Sequence, residues 1–448
     1  MNLVEQAARP RTAKPPAAPA PKTEPSPQSS PQSGRRSVVA GVLIASIASL
    51  PMLMPAGLAP GPGNTGLPDL FLVVLTLTTL LWAGTRRYAV RWPFLLPTLL
   101  TIIAGGLAAI VNDAGALTLI KDLFVLLWAM CIANLGRDVQ LLRTAVKSWV
   151  FIGTAYAIIM IVGFVAGIEA LSGKQFDGER AMFTFGDANY ASNWFICVFF
   201  IARAARIPRK ASHRYAVCGI LLAAEVLTGS NGGALALGVA LLAGHLFRLV
   251  REGRAHQAIA TSALVIFLGG GTVVALSQID IQPYLDKASA ASPVLRDSIG
   301  RTTGESTGSR STVLAATTRM LRDQHHPFGI GPGETEDQMR VRQEPYVREA
   351  HNDYVAAVLE RGFLGGVALI VLIFILALKC LRIARKGALK EEYAQVIPRP
   401  ELFAALVVVF LVSALFYETL HYRHGWAFFG LIAALELFGR RTEGESAQ

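Results

Sequence analysis

The hydrophobic positions of the chain fall into long runs that short polar segments separate. A helix needs about 20 apolar residues to cross a hydrocarbon core roughly 30 Å thick, whereas a transmembrane β-strand alternates polar and apolar residues. The pattern therefore predicts an all-α polytopic membrane protein with about 12 transmembrane helices. We place them at residues 38–58, 67–84, 93–111, 116–135, 147–168, 188–203, 215–229, 232–247, 258–277, 363–381, 402–418 and 426–438.

Polar intervals divide the chain into parts. Residues 1–36 are rich in Pro, Ala, Ser and Lys and lack an apolar core, which predicts a disordered tail. The longest polar interval predicts a partly helical loop outside the membrane. The expected organisation is a tail at 1–36, helices one to nine at 37–277, the long loop at 278–362, helices ten to twelve at 363–438 and a second tail at 439–448.

Lys and Arg are concentrated on one side of the predicted helices. Loops 59–66 and 112–115 contain neither residue, and loop 169–187 contains only Lys174 and Arg180, whereas the loops between them are basic. The positive-inside rule then places both termini in the cytoplasm and the long loop outside. The net charge of +11 follows from these basic loops, so we expect no nucleic-acid partner.

Arg35 and Arg36 precede the first apolar run and also resemble a twin-arginine export signal. The run is longer than the apolar region of a signal peptide, which is about 7 to 15 residues. We therefore favour a retained first helix.

The seventh and eighth predicted helices are joined by the Gly-rich segment 228–233. The seventh is short for a full crossing, so it is either tilted among other helices or forms a broken element with the eighth. Irregular backbone at membrane depth needs protein or water around it, and a broken pair would indicate a nearby cavity. No two-fold repeat relates the halves of the chain, which disfavours a transporter.

Three ionisable residues lie inside predicted helices: Lys121 and Asp122 in the fourth and Glu225 in the seventh. Such groups usually face the bundle interior, because charge in lipid costs a few kcal/mol. Structural pairing and contact with a substrate are both open interpretations of these residues.

The long loop contains a predicted helix at 310–323, where apolar residues recur at helical spacing. This helix carries Arg310, Arg319 and Arg322. His325 and His326 follow it, but adjacent histidines point in different directions and no carboxylate pattern joins them, so we predict no metal site.

The segment Phe328–Gly333 must form a turn, and its glycines let backbone approach a bulky or anionic ligand closely. It lacks the Lys-Ser/Thr pair of a phosphate loop. A second loop helix starts near Ala350 and continues into the tenth predicted span.

This second helix places His351 just above the outer membrane surface, with Tyr354 one turn further on. A neutral His can accept a proton from a hydroxyl, although a polar residue at a helix start needs no such role. Arg180 is the outer cation of loop 169–187, where an Arg is usually solvated, and Asn189 heads the next helix. The last outer loop, 417–424, is polar and aromatic and could cover the same site.

Together these segments resemble the bacterial O-antigen ligase and O-antigen polymerase superfamily. The resemblance lies in Gly308-Ser309-Arg310, in the turn HHPFGIGPG at 325–333 and, most specifically, in AHNDYVAAVLERGFLGG at 350–366. Weaker similarities are FGDAN at 185–189 and LTGSNGG at 227–233.

This resemblance implies a glycosyltransferase on the periplasmic face of the bacterial inner membrane, with 278–362 as its catalytic loop. It implies a donor glycan on undecaprenyl diphosphate, an acceptor glycolipid or glycan, and no cofactor or metal. His351 would act on the acceptor hydroxyl. Arginine binds phosphate through its planar fork, so the diphosphate or glycan contacts would be Arg310, Arg180, Arg319 and Arg322. Candidate supporting residues are Asn189, Asn231, Glu225, Tyr354 and Arg423.

The chain departs from the family pattern at two places. Asn231 stands where the family often has Arg, so the missing cation would come from Arg310, Arg319, Arg322 or Arg423. Val313-Leu314 stands where an aromatic residue is common.

Four functions are compatible with the sequence. A ligase would move a finished polymer from the lipid carrier onto lipid A-core sugar. A polymerase would move the growing chain onto the next repeat unit. A protein O-oligosaccharyltransferase would use a protein as the acceptor. A lipid-linked glycan transporter is the non-enzymatic alternative. The single dominant late loop favours the ligase.

Overall fold

The computed structural model describes residues 31–53, 66–175, 180–277, 282–291, 296, 299–300, 305–323 and 327–441, with backbone alone at 31–33, 174–175, 269–277, 282 and 305–310. Most of the predicted first tail and of the last tail lies outside these residues. His325 and His326, for which no metal site is predicted, also lie outside them.

The described chain is almost entirely helical. Its α-helices are α1 (Pro31–Ser49), α2 (Leu67–Arg86), α3 (Leu95–Asn112), α4 (Ala116–Leu135), α5 (Val139–Val165), α6 (Glu169–Ser172), α7 (Ala188–Ala205), α8 (Ala211–Leu227), α9 (Asn231–Arg251), α10 (Ala255–Ser277), α11 (Gln282–Ala291), α12 (Glu305–Arg322), α13 (Thr335–Val341), α14 (Asp353–Ala384), α15 (Glu391–Val396), α16 (Glu401–Ser413) and α17 (Arg423–Ala434). Strands β1 (Lys174–Gln175) and β2 (Arg180–Ala181) form a small antiparallel pair.

Within the described residues, 6 helices are long and apolar enough to cross a membrane, namely α2, α3, α4, α5, α9 and α14. The predicted class, a helical membrane protein that crosses the bilayer several times, is thereby confirmed. Each predicted span overlaps a helix of the structure. The full number of about 12 crossings stays a prediction.

Several predicted spans extend beyond the helices that the chain forms, and two of them do so by at least five residues. The first span was placed at 38–58 after a tail ending at 36, but α1 begins at Pro31 and ends at Ser49. Pro51 explains this end, because proline lacks an N–H and disfavours helical backbone in the residue before it. The helix predicted at 402–418 ends at Ser413.

The Gly-rich segment 228–233 separates two complete helices, α8 and α9, and does not break a single one. Gly229 has a φ of 58°, and the Ser230 side chain caps α9 by accepting from the Gly233 N–H at 3.1 Å. A Cβ on Gly233 would lie 1.9 Å from the Ser192 Oγ. The glycines therefore allow α9 to pack closely against α7.

Helix α7 is the centre of the bundle. All of its residues except Arg203 are buried, as expected of a helix that is surrounded by other elements. Trp194 of α7 stacks on Trp149 of α5 with ring centroids 5.8 Å apart. By contrast, α3 and α10 expose large apolar side chains such as Ile110 and Phe267, and these surfaces suit contact with lipid.

The connections between helices contact one another in two separate groups. One group consists of the connections rich in Lys and Arg. Hydrogen bonds join these connections between Asn134 and Arg91, between Arg137 and Tyr393, and between Ala204 and Arg399. Others join the second group at Pro51–Thr184, Asn112–Gly329, Arg180–Thr228 and Asp69–Arg423. Successive connections along the chain belong alternately to the two groups, as expected for helices that cross a membrane one after another. The long loop belongs to the second group.

The turn of the long loop packs its backbone directly against helix α14. Gly331 N donates to Glu360 O at 3.0 Å, and Phe363 N donates to Pro327 O at 3.0 Å. Gly362 interrupts the helical backbone there with φ 65° and ψ −166°. A Cβ on Gly362 would lie 1.8 Å from Pro327 O. Gly329 and Gly362 therefore allow close contact between the turn and α14. The approach of the turn backbone to a ligand stays a prediction.

We expect Gly362→Ala to destabilise the protein strongly. Its backbone conformation is almost exclusive to glycine and costs any other residue roughly 1–3 kcal/mol, and the clash with Pro327 adds to that cost. The melting temperature of the purified protein in detergent measures the effect. Gly106→Ala is a matched control, because a Cβ there meets nothing within 4 Å. Equal melting temperatures for the two variants would contradict the assignment.

Candidate functional site

A cavity of about 290 Å³ lies at the end of the bundle that carries the long loop. We call it the His351 cavity. Its lining combines aromatic rings with ionisable side chains and draws on segments that are far apart in the sequence. The lining residues are Leu53, Phe185, Gly186, Asp187, Asn189, Tyr190, Glu349, His351, Tyr417, Glu418, His421, Tyr422 and Arg423.

His351 is held at the cavity by the start of helix α14. Its φ is 49°, a left-handed conformation that His adopts more readily than most residues. Asn352 follows as the helix cap, with its Oδ1 accepting from Tyr354 N at 3.0 Å and Val355 N at 3.1 Å. The prediction that His351 lies at the head of this helix is confirmed.

The same helix start is fastened to the segment after α16. Asn352 Nδ2 donates to Leu415 O at 3.1 Å. The Asp353 carboxylate accepts from Thr419 N at 2.8 Å and from Thr419 Oγ1 at 2.6 Å. The two residues after His351 are therefore bound to the segment 415–419, and residues of the loop at 417–424 line the cavity.

Arg180 is buried, with 8% of its surface exposed, and this excludes the solvated alternative. Its Nε donates to Thr228 O at 2.8 Å, and its Nη2 donates to Asn189 Oδ1 at 2.9 Å. Ser230 Oγ also donates to Asn189 Oδ1 at 3.0 Å. Arg180 thus links the cavity residue Asn189 to the Gly-rich segment. Arg180 itself is the first residue of β2.

Among the predicted arginines, the structure separates those near the cavity from those away from it. Arg423 lines the cavity and forms a two-point ion pair with Asp69, at 2.8 and 2.6 Å. Arg319 instead pairs with Glu344 at 2.9 Å, and Arg322 is exposed beside Asp323. Neither of these two lines the cavity, and the side chain of Arg310 lies outside the described part of the structure.

The remaining predicted residues have structural partners. Glu225 accepts from Ser192 Oγ at 3.3 Å inside the bundle. Tyr354 donates its hydroxyl to Leu411 O at 2.9 Å. Asn231 is the first residue of α9, directly after the cap Ser230.

Asp122 pairs with other side chains of the protein. Of the two interpretations of its charge, the structure therefore supports structural pairing. Its carboxylate binds Arg361 of α14 and lies 3.4 Å from His421 Nε2. His421 Nδ1 lies 3.4 Å from Glu418 Oε2. These four residues form a continuous chain of charges from helix α4 to the His351 cavity.

The neighbouring carboxylates favour the protonated form of His421 by raising its pKa. Burial alone would lower its pKa, but the hydrogen bond to Asp122 and the charges of Asp122, Glu418 and Glu349 raise the pKa to about 10. His421 lines both the His351 cavity and its smaller neighbour, and 43% of its side chain is exposed. Partial desolvation also raises the pKa of Glu349, against the opposing charge of His421.

A second, smaller cavity of about 70 Å³ adjoins this chain of charges. It is mainly apolar and lies among α3, α4 and α14, with Asp122, Arg361, Glu418 and His421 in its lining. Glu418 and His421 line both cavities. Sequence reasoning missed these two residues as site members, and the only signal was the polar and aromatic loop that contains them.

Residues 216–370 match the family model described as O-antigen ligase. The matched segment runs from α8 into α14 and contains the Gly-rich segment, the long loop, His351 and Gly362. Over this segment the chain is similar to the O-antigen ligase family, whose members are glycosyltransferase-like enzymes. No curated protein matches the chain.

We expect the stability of the wild-type protein to fall with rising pH more steeply than that of His421→Gln. The folded pKa of about 10 exceeds the unfolded value, which is about 6.5. The stabilisation by protonated His421 is therefore complete below about pH 6.5 and is lost as the pH approaches 10. Melting temperatures at the two pH values measure the difference, and identical pH slopes for both proteins would contradict it.

Proposed function

We propose that the protein is an O-antigen ligase-like glycosyltransferase that moves a glycan from undecaprenyl diphosphate onto an acceptor sugar of lipid A-core. The supporting observation is that the segment matching the O-antigen ligase family brings His351 to a polar and aromatic cavity at the loop end of the bundle. A diphosphate is already a good leaving group, so the protein mainly has to neutralise its charge and place the acceptor.

In the proposed step, the acceptor hydroxyl attacks the anomeric carbon of the donor sugar. The new bond forms between the acceptor oxygen and this carbon, and the bond from the carbon to the diphosphate oxygen breaks. The electron pair leaves with the diphosphate, and His351 takes the hydroxyl proton. General base catalysis of this kind contributes about 10²- to 10⁴-fold to a rate.

The diphosphate requires positive charge near the site. Arg423 lines the cavity, and Arg180 is bound to the cavity residue Asn189. We assign the diphosphate contacts to these two and to Arg310, with Asn189 and Asn231 as supporting polar groups. Arg319 and Arg322 carry less of the proposal, because both are exposed and neither lines the cavity.

We place the reaction on the periplasmic face of the inner membrane, with both termini in the cytoplasm and residues 278–362 as the catalytic loop. The charge bias of the loops supports this orientation. The separate contacts of the basic connections and of the outer connections are consistent with it. The carrier lipid reaches the cavity from the surrounding bilayer.

The transporter alternative loses its main support. It rested on ionisable groups at membrane depth, and Asp122 has protein partners in Arg361 and His421. The polymerase and the protein O-oligosaccharyltransferase use the same donor chemistry and differ in the acceptor. They are separated by the product that accumulates when transfer stops.

We expect His351→Ala to reduce glycan transfer by about 10²- to 10⁴-fold, because it removes the proposed base. The measurement is the lipopolysaccharide and exopolysaccharide profile of a strain that carries the variant, compared with His213→Ala, which changes an exposed His outside the cavity. Loss of capped lipopolysaccharide with long carrier-linked polymer accumulating supports the ligase.

Other profiles give different answers. Accumulation of single carrier-linked repeat units would identify a polymerase, and loss of glycan from proteins alone would identify a protein O-oligosaccharyltransferase. An unchanged profile with normal amounts of the variant in the membrane would remove His351 from the mechanism.

A further inference from the structure

A separate pocket of about 280 Å³ lies at the other end of the bundle, among the connections rich in Lys and Arg. We call it the Trp82 pocket. Helix α2 begins near the His351 cavity, where Asp69 binds Arg423, and its 20 residues span about 30 Å before the pocket is reached. The pocket is therefore too far away to belong to the transfer site. Its lining residues are Trp82, Arg86, Tyr88, Arg137 and Asp138.

Two arginines of this pocket lie over aromatic rings. Cζ of Arg86 is 4.4 Å from the centroid of the Trp82 ring, and Cζ of Arg137 is 4.5 Å from the centroid of the Tyr88 ring. Both rings are held in place, since Trp82 is buried and Tyr88 donates its hydroxyl to Asn134 O at 3.3 Å. A cation over an aromatic face is attracted to it, so the rings position the two guanidinium groups.

The charges of these arginines are not neutralised by the protein. Within the part of the chain that the structure describes, neither Arg86 nor Arg137 forms an ion pair, and Asp138 is paired with Arg36 at 3.0 Å. Burial raises the pKa of Tyr88, and the charges of Arg137 and Arg86 oppose this rise, so both guanidinium groups lie near the same side chain. Neighbouring guanidinium forks of this kind suit the oxygens of a phosphate.

An apolar surface extends from the pocket along helix α2. Large side chains are exposed on it at helical spacing, and residues three and four apart share one face of a helix. This face ends at Leu81, the residue before Trp82, and extends back about 16 Å to Leu70. That length is about half of a hydrocarbon core roughly 30 Å thick. The exposed residues are Leu70, Val73, Val74, Leu77, Leu80 and Leu81.

A phospholipid combines a phosphate with acyl chains that fit such a surface. A zwitterionic headgroup would also bring an ammonium group to the two arginines, and the carboxylate of Asp138 is already paired. An anionic headgroup brings no positive charge, and basic residues at a membrane surface attract anionic lipids.

We propose that the Trp82 pocket binds the phosphate of an anionic phospholipid whose acyl chain lies along the exposed apolar face of α2. Arg86 and Arg137 contact the phosphate, and the rings of Trp82 and Tyr88 position them. The site is distinct from the His351 cavity, so the proposal does not depend on the proposed function.

The test uses the full-length protein, purified in a nonionic detergent and freed of bound lipid. Native mass spectrometry measures the Kd of dioleoyl phosphatidylglycerol and of dioleoyl phosphatidylcholine, which has the same acyl chains and no net charge. The variants are Arg86→Gln, Arg137→Gln and the double variant. Arg209→Gln is the matched control, because it removes an exposed arginine of another basic connection outside the pocket.

We expect each single variant to raise the Kd of phosphatidylglycerol about fivefold, as for loss of one basic residue at an anionic membrane surface. The double variant should raise it about 25-fold, since the two losses add. The Kd of phosphatidylcholine should stay unchanged, and Arg209→Gln should behave as the wild type does. Both pocket arginines are exposed, so melting temperatures without lipid should stay near that of the wild type.

Three results would overturn the proposal. Equal Kd values for the two lipids in the wild type would do so without any variant, even if a variant failed to fold. A folded double variant that binds phosphatidylglycerol as the wild type does would place the lipid elsewhere on the protein. If inorganic phosphate, measured by calorimetric titration, bound the wild type as tightly as phosphatidylglycerol, the site would be one for soluble phosphate, because the acyl chains would contribute nothing.

Discussion

Asp122 of α4 and Arg361 of α14 meet where the long loop returns to the bundle, and their side chains are only 14% and 10% exposed. Removing one partner of a buried pair leaves an uncompensated charge, which costs about 3–5 kcal/mol. The pair therefore determines how α14 enters the bundle. Neighbouring Glu360 binds the loop turn through Gly333 N and Thr335 Oγ1, and Asp122 also contacts His421. The loop turn, helix α14 and the last outer loop are thus held together by contacts with Asp122, Arg361 and the neighbouring Glu360.

The helical membrane architecture follows from hydropathy, because long apolar runs have few stable alternatives in a bilayer. The ends of the helices depend on local backbone chemistry, which hydropathy does not measure. The apolar run near residue 50 continues past the helix end that Pro51 imposes. The role of Gly362 was equally hidden, since its effect depends on the carbonyl of Pro327, a residue far from it in sequence.

The candidate site was predictable in part. His351 stood out because a polar residue at a helix start lay beside a predicted membrane surface, and the structure places it in a cavity with Asn189 and Arg423. The arginines were harder to rank, because charge alone does not reveal the partners that bind it. Glu344 is distant from Arg319 in the sequence, and the two side chains meet only in the folded loop. Glu418 and His421 gave almost no sequence signal, because their environment depends on Asp122 in a distant helix.

The segment that matches the family, 216–370, supplies only part of the cavity wall. It contributes Glu349 and His351, while residues 185–190 precede it and residues 417–423 follow it. The matched segment and the regions that flank it therefore meet at one surface. The flanking regions can change the shape and charge of the cavity without altering the motif that identifies the family. Substitutions at 185–190 or 417–423 would therefore reshape the cavity and leave the segment that identifies the family unchanged.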